Sequence, residues 1–194
     1  MFFLPYEIFK VQAVRGLLSG YKIPIGKAVA NKERTGAMQK SSRDIAGVIA
    51  PPPLIYLGSL IAGFAIQARL PLPLLLPKGL RRFLGSLLLG GAIMLIAGAM
   101  RKFQQAETSY HPDEPTTTLI REGPYRLTRN PLYLSLTMLY TAIALFGNAF
   151  WVIALLPVLV RVINHGVIEH EERYLERKFG DQYRQYKERV PRWF

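Results

Sequence analysis

Residues 130–160 read NPLYLSLTMLYTAIALFGNAFWVIALLPVLV, a run of 31 residues without Asp, Glu, Lys or Arg. A membrane-spanning helix needs about 20 apolar residues, within a range of about 17 to 25, so the run is too long for one crossing. Gly147-Asn148 near its middle is a turn signal, and Pro131 suits the first position of a helix. The stretch predicts two short helices in a tight hairpin, over residues 132–146 and 149–163.

Two more charge-free runs precede it, residues 45–68 and 83–100, of 24 and 18 residues. Each fits one crossing, over residues 53–68 and 82–100. The connection between them, Leu70-Pro71-Leu72-Pro73-Leu74-Leu75-Leu76-Pro77, is apolar but too rich in proline for a regular helix, and is expected to skim the far interface. The predicted fold class is therefore all-α, a polytopic integral membrane protein of four transmembrane helices closing on a C-terminal helical hairpin. Gly85, Gly90-Gly91 and Gly98 suit the second helix to close packing.

The chain of 194 residues carries 25 Lys plus Arg against 13 Asp plus Glu, a formal charge of +12. Four crossings place 21 of the basic residues on one side and 4 on the other, which makes that side, and both termini, cytoplasmic. The basic charge is thus membrane anchoring. Without a recognition module it does not indicate nucleic acid. The absence of Cys excludes a disulfide framework, a zinc-thiolate site and a cysteine nucleophile. Residues 44–194 form the transmembrane domain, and residues 1–43 read as a basic extension suited to an anionic membrane surface. Pro5 and Glu7 interrupt the opening apolar run, so no cleavable signal peptide is expected.

Polar motifs stand at both ends of the hairpin. On entry the chain reads Arg121-Glu122-Gly123-Pro124-Tyr125-Arg126-Leu127-Thr128-Arg129-Asn130-Pro131-Leu132-Tyr133. On exit it carries Glu169, Glu171 and Glu172, then Phe179-Gly180 and Tyr183, and ends on Val190-Pro191-Arg192-Trp193. The fourth helix has no stop signal before Gly180, which is expected to cap it. On a regular helix Arg161, His165, Ile168 and Glu172 share one face, and Asn164, Val167 or Ile168, and Glu171 a neighbouring one. His165 with Glu169 has a spacing a metal could use, but no third ligand accompanies them, and no metal is assigned.

Taken in order, Gly123-Pro124-Tyr125, Arg129-x-Pro131-x-Tyr133, Glu171-Glu172-x-x-Leu175, Phe179-Gly180-x-x-Tyr183 and Val190-Pro191-Arg192 resemble the isoprenylcysteine carboxyl methyltransferase family of integral membrane enzymes, to which phospholipid methyltransferases are related. The resemblance implies a cytoplasmic site for S-adenosylmethionine, released as S-adenosylhomocysteine, with a lipophilic small-molecule or lipid acceptor entering from the membrane. It assigns Leu119, Gly123, Tyr125, Arg129, Asn130, Tyr133, Glu171 and Glu172 to the cofactor. Aromatic faces and carboxylate suit a sulfonium cation, and a guanidinium suits the methionine carboxylate. Glu171, Arg161, His165 and Asn164 are the candidates for catalysis at the acceptor.

Two positions depart from the family pattern. Asn130 stands where the pattern has His, and Val167 stands four residues before the first Glu, where carboxyl-methylating members carry Arg. Without that cation a prenylcysteine carboxylate lacks a partner, so a neutral or readily deprotonated acceptor is expected. A phospholipid headgroup, a small thiol or amine, and a non-catalytic scaffold of the same fold are the alternatives.

Overall fold

A computed structural model describes residues 50–105 and 118–193, all within one compact unit, Arg43–Phe194. The basic extension over residues 1–43 lies outside the described residues. The described residues are helical, without a strand: α1 (Pro52–Arg69), α2 (Lys78–Gln105), a 3-10 turn (Gly123–Arg126), α3 (Pro131–Phe146), α4 (Phe150–Ile163), a π-helical turn (Asn164–Ile168), α5 (Glu169–Phe179) and α6 (Asp181–Arg189). All four apolar helices expected from the charge-free runs are present.

Their ends follow local chemistry. Pro52 and Pro131 open α1 and α3, where a missing N–H costs nothing. Leu70, held before Pro71, ends α1. At the hairpin Asn148 adopts φ +51°, a conformation Asn tolerates better than most residues, and its Oδ1 accepts the Leu74 N–H at 2.8 Å. Trp151 Nε1 donates to the Leu70 carbonyl at 2.8 Å, so the proline-rich connection is pinned against the hairpin turn. Gly180, at φ +53°, ends α5 as the cap expected there.

Two helix pairs build the bundle: α2 packs along α3, and α1 along α4. Gly63 lets α1 approach closely, since a Cβ there would lie 2.9 Å from Val152 Cα. The core holds Tyr56, Tyr140, Val152, Leu159, Ile163, Val167 and Ile168. Its polar atoms are satisfied within the bundle: Tyr140 Oη donates to the Val152 carbonyl at 2.8 Å, and Tyr56 Oη pairs with Thr137 Oγ1 at 2.7 Å. The outer faces expose Leu54, Leu57 and Ile61 on α1, Phe83, Leu87 and Met94 on α2, and Val158 and Val162 on α4. A surface so apolar suits lipid rather than water. Among the described residues, Lys78–Gln105 and the continuous helix Phe150–Phe179, of 28 and 30 residues, are long and apolar enough to span a membrane; Pro131–Phe146 is a shorter apolar helix.

The last long helix departs from expectation inside its length. The wide turn at residues 164–168 adds backbone between α4 and α5 and breaks the 3.6-residue register. Arg161 and His165 are consequently exposed, whereas Ile168 and Glu172 are buried, so the single face expected for these four residues does not exist. Val167, expected beside an acceptor, is fully buried in the core.

Candidate functional site

At the end of the bundle opposite the hairpin turn, α2, the 3-10 turn, the start of α3, α5 and the chain's tail converge. Gly98 of α2 permits this: a Cβ there would stand 2.8 Å from the Pro124 ring. Gly123 adopts φ +61° at the turn's first residue, and its neighbour Glu122 pairs with Lys102 at 2.9 Å. Tyr125 is then set edge-on to Phe103 at 6.0 Å, with its carbonyl taken by Tyr186 Oη at 2.7 Å. Leu119 joins Tyr125, Leu175 and Phe179 around a small core of Tyr183, Tyr186 and Val190.

Two carboxylates on α5 have different surroundings. Glu171 accepts a hydrogen bond from Tyr133 Oη at 2.5 Å, its only bond among the described residues. The residue keeps some exposed surface, but its carboxylate is enclosed, and burial pushes its pKa up to about 7, with Glu172 adding to the rise and the Tyr133 bond opposing it. Burial raises the Tyr125 phenol well above its usual range, and Glu171 contributes, so the two groups are close enough to interact.

Glu172, by contrast, is fully engaged. Arg192 forks onto it, Nε to Oε1 at 3.1 Å and Nη2 to Oε2 at 2.7 Å, and Arg129 Nη1 stands 2.9 Å from Oε1. Both of its oxygens are thus paired with guanidinium N–H groups. Arg129 is less well served. Its Nη1 lacks the alignment of a hydrogen bond to Glu172, and its Nε has no acceptor, although the side chain is only 9% exposed. Around one carboxylate there are two guanidinium groups, one of them buried with N–H groups unpaired.

The tail holds this arrangement from behind. The Arg192 carbonyl accepts from Thr128 Oγ1 and Asn130 Nδ2, both at 2.9 Å, and the Pro191 carbonyl accepts from Arg129 N–H at 3.0 Å. Trp193 Nε1 donates to Asn164 Oδ1 at 3.0 Å, fastening the tail to the π-helical turn. Asn130, the departure from the family's His, thus serves as a donor to the chain's own backbone.

Of the residues selected from sequence, Tyr133 meets Glu171, Arg129 meets Glu172, and Tyr125 interacts with Glu171, whereas Leu119 packs on the Tyr183–Tyr186 core and Gly123 lies against Lys102. The catalytic group is not assembled as expected. Arg161 is exposed on α4; His165 is 56% exposed and pairs with Glu169 at 2.8 Å; Asn164 faces the tail's indole. The π-helical turn separates all three from the register of Glu171. Sequence reasoning gave no role to Thr128, Arg192 or Trp193, although the Val-Pro-Arg motif marked the tail. A groove of about 210 Å³ lies near Lys102, Leu119, Ile120 and Arg121, lined by none of the residues of the Glu171 and Arg129 cluster.

A family model described as phospholipid methyltransferase matches residues 80–182, more than half the chain, from α2 to the start of α6. The chain belongs to the phospholipid methyltransferase family. This is a family of integral membrane methyltransferases that includes the isoprenylcysteine carboxyl methyltransferases, so the resemblance read from the motifs holds at that level. The matched span contains every candidate residue from Leu119 to Glu172 and ends before the tail. An uncharacterized protein of Haemophilus influenzae is 47% identical over 64 residues, which are 32% of this chain and 98% of that protein. No solved structure matches the chain. Membership in a membrane methyltransferase family accords with the two long apolar helices and the apolar outer faces.

Proposed function

We propose that the protein transfers a methyl group from S-adenosylmethionine to a lipophilic or amphipathic acceptor drawn from the membrane. The observation that carries this reading is the enclosed carboxylate of Glu171, held by Tyr133, one residue along α5 from Glu172, at which Arg129 stands with N–H groups not aligned for hydrogen bonding. Such a pair suits a ligand that bears a carboxylate and a cation a few bonds apart. When bound, the donor supplies an electrophilic methyl group on a sulfonium, which needs no metal and no covalent enzyme intermediate.

The chain's own residues then have distinct tasks. Arg129 offers its free N–H groups to a carboxylate. Glu171, with Tyr125 and Tyr133 beside it, favours positive charge. Glu172 is occupied by the Arg192 fork, with Arg129 Nη1 2.9 Å from its Oε1 but not aligned for a hydrogen bond. The enclosure of the cluster by the tail and the aromatic core excludes water and fixes the reactants for an in-line displacement. Four crossings with a cytoplasmic site are part of the same proposal.

The acceptor follows from the cations. Arg192 is committed to Glu172, Arg129 is reserved for the donor's carboxylate, Val167 is core, and Arg161 is exposed on α4 before the π-helical turn. An acceptor that is neutral, or loses a proton on reaction, suits the site better than a carboxylate. Glu171, poised near neutrality, is the base available for that proton, and His165 is not. Calorimetry of the detergent-solubilised protein with S-adenosylmethionine and S-adenosylhomocysteine tests the donor. Turnover with a farnesylated cysteine analogue, an aminophospholipid and an apolar thiol, at equal donor saturation, tests the acceptor. Clear preference for the farnesylated carboxylate would overturn the acceptor assignment.

A further inference from the structure

We propose that Arg192, in the tail beyond the span matched by the family model, is a positioning residue of the donor site: it occupies Glu172 and thereby keeps Arg129 available to the ligand. The inference rests on the proposed methyl-donor role of Arg129.

Three buried or half-buried groups compete. Glu172 can satisfy its oxygens with Arg129 or with Arg192, and in the structure Arg192 takes both, through Nε and Nη2 at 3.1 and 2.7 Å. Arg129 Nη1 is equally near Oε1, at 2.9 Å, but is not aligned for a hydrogen bond, and Nε is unpaired. An enclosed carboxylate deprived of one guanidinium turns to the other, because charges attract far more strongly there than in water. Without the Arg192 fork, Glu172 closes onto Arg129 and consumes the N–H groups a ligand carboxylate needs. Arg192 therefore acts on the donor through Glu172 and touches neither the donor nor the reacting atoms.

The main-chain clasp separates this role from simple attachment of the tail. Thr128 and Asn130 bond the Arg192 carbonyl, Arg129 N–H bonds the Pro191 carbonyl, and Trp193 bonds Asn164. None of these contacts uses the Arg192 side chain. Its replacement removes the fork and leaves the strap in place.

The test uses the full chain in detergent and measures calorimetric affinity for S-adenosylmethionine and S-adenosylhomocysteine, with KM and kcat. Arg192→Ala is expected to weaken donor affinity about tenfold or more, raising KM while kcat at saturation changes less than about threefold. The decisive arm is Arg192→Ala combined with Glu172→Gln. Neutralising the captor frees Arg129, so the double variant is expected to bind the donor more tightly than Arg192→Ala alone, within about threefold of the wild type. A merely structural role predicts the reverse, since two contacts would then be lost. Arg192→Lys keeps the charge without the fork and carries the same test if the alanine variant does not fold: a smaller rise in KM, reversed by Glu172→Gln. A double variant no tighter than the single one overturns the inference, as does Trp193 emission showing the tail released in Arg192→Ala. Normal donor binding in Arg192→Ala overturns it while leaving the donor reading intact. A wild type with no affinity for either compound overturns both.

Discussion

The Tyr133 hydroxyl donates to Glu171 Oε1 at 2.5 Å across 38 residues of sequence, joining the first turn of α3 to the helix beyond the π-helical turn. It ties the two ends of the apolar hairpin at the point where the site's carboxylate must be held. Tyr56 Oη reaches the Tyr133 carbonyl at 3.2 Å, so the same residue is anchored to α1.

Tyr133→Phe removes the bond that opposes the rise in Glu171's pKa. The pH at which donor affinity is half lost is therefore expected to move above its wild-type value, as measured by calorimetry across pH. A stability loss of about 1 kcal/mol should accompany it, typical of one hydrogen bond.

Glu171→Gln is expected to weaken donor binding at pH 8 and to abolish its pH dependence. In the wild type, affinity falls as pH drops through about 7, because protonation removes the charge that favours a cation. Stability runs the other way. The folded pKa lies above the 4.5 of a free glutamate carboxyl, so the contribution of this group is complete below that value and is lost as pH rises to about 7. Glu171→Gln should thus melt higher than wild type at pH 8, and the difference should vanish near pH 4. Equal melting temperatures at pH 8 together with unchanged donor affinity would sink the assignment of this carboxylate.

Gly98→Ala places a Cβ 2.8 Å from the Pro124 ring and must displace the Gly-Pro-Tyr turn. Overpacking of this kind costs about 1–3 kcal/mol, enough to outweigh the gain in helix propensity of about 1 kcal/mol. Gly63→Ala meets Val152 Cα at 2.9 Å on the α1–α4 contact and should destabilise comparably. Donor affinity is expected to fall in the first variant and not in the second, a contrast visible when thermal melts and calorimetry are paired.

Asn130→His should retain donor binding, since an imidazole N–H can replace the carboxamide N–H that bonds the Arg192 carbonyl. Asn130→Asp sets an acceptor against that carbonyl and should cost about 1–3 kcal/mol and loosen the tail. Trp193 fluorescence, read in a Trp151→Phe background, follows the docking.

The chain has no Cys, so single cysteines report topology cleanly. Asn148→Cys and Asp181→Cys are expected to label from opposite sides of the membrane. Labelling of both from one side refutes the paired crossings of α3 and α4.

The helices were legible because each depends on neighbours in sequence. Charge-free length, Pro131 at a helix start, Asn148 in the hairpin and Gly180 at the cap act over a few residues, and all occupy the expected places. The motifs likewise singled out Tyr133, Arg129, Glu171 and Glu172, which the structure pairs as Tyr133 with Glu171 and Arg129 with Glu172. Their partners were not legible. Nothing in sequence says that Glu172 belongs to Arg192, 20 residues away, or that the Arg192 carbonyl belongs to Thr128, 64 residues away, since packing decides which groups leave water together. Periodicity failed for one local reason with long-range effect. The π-helical turn at residues 164–168 rotates α5 relative to α4, so Glu172 is buried while Arg161 and His165 are exposed, and Val167 within the turn enters the core. A π-helical turn is rare because local winding does not favour it, so it is the tertiary contacts of Asn164, Val167 and Ile168 that hold it.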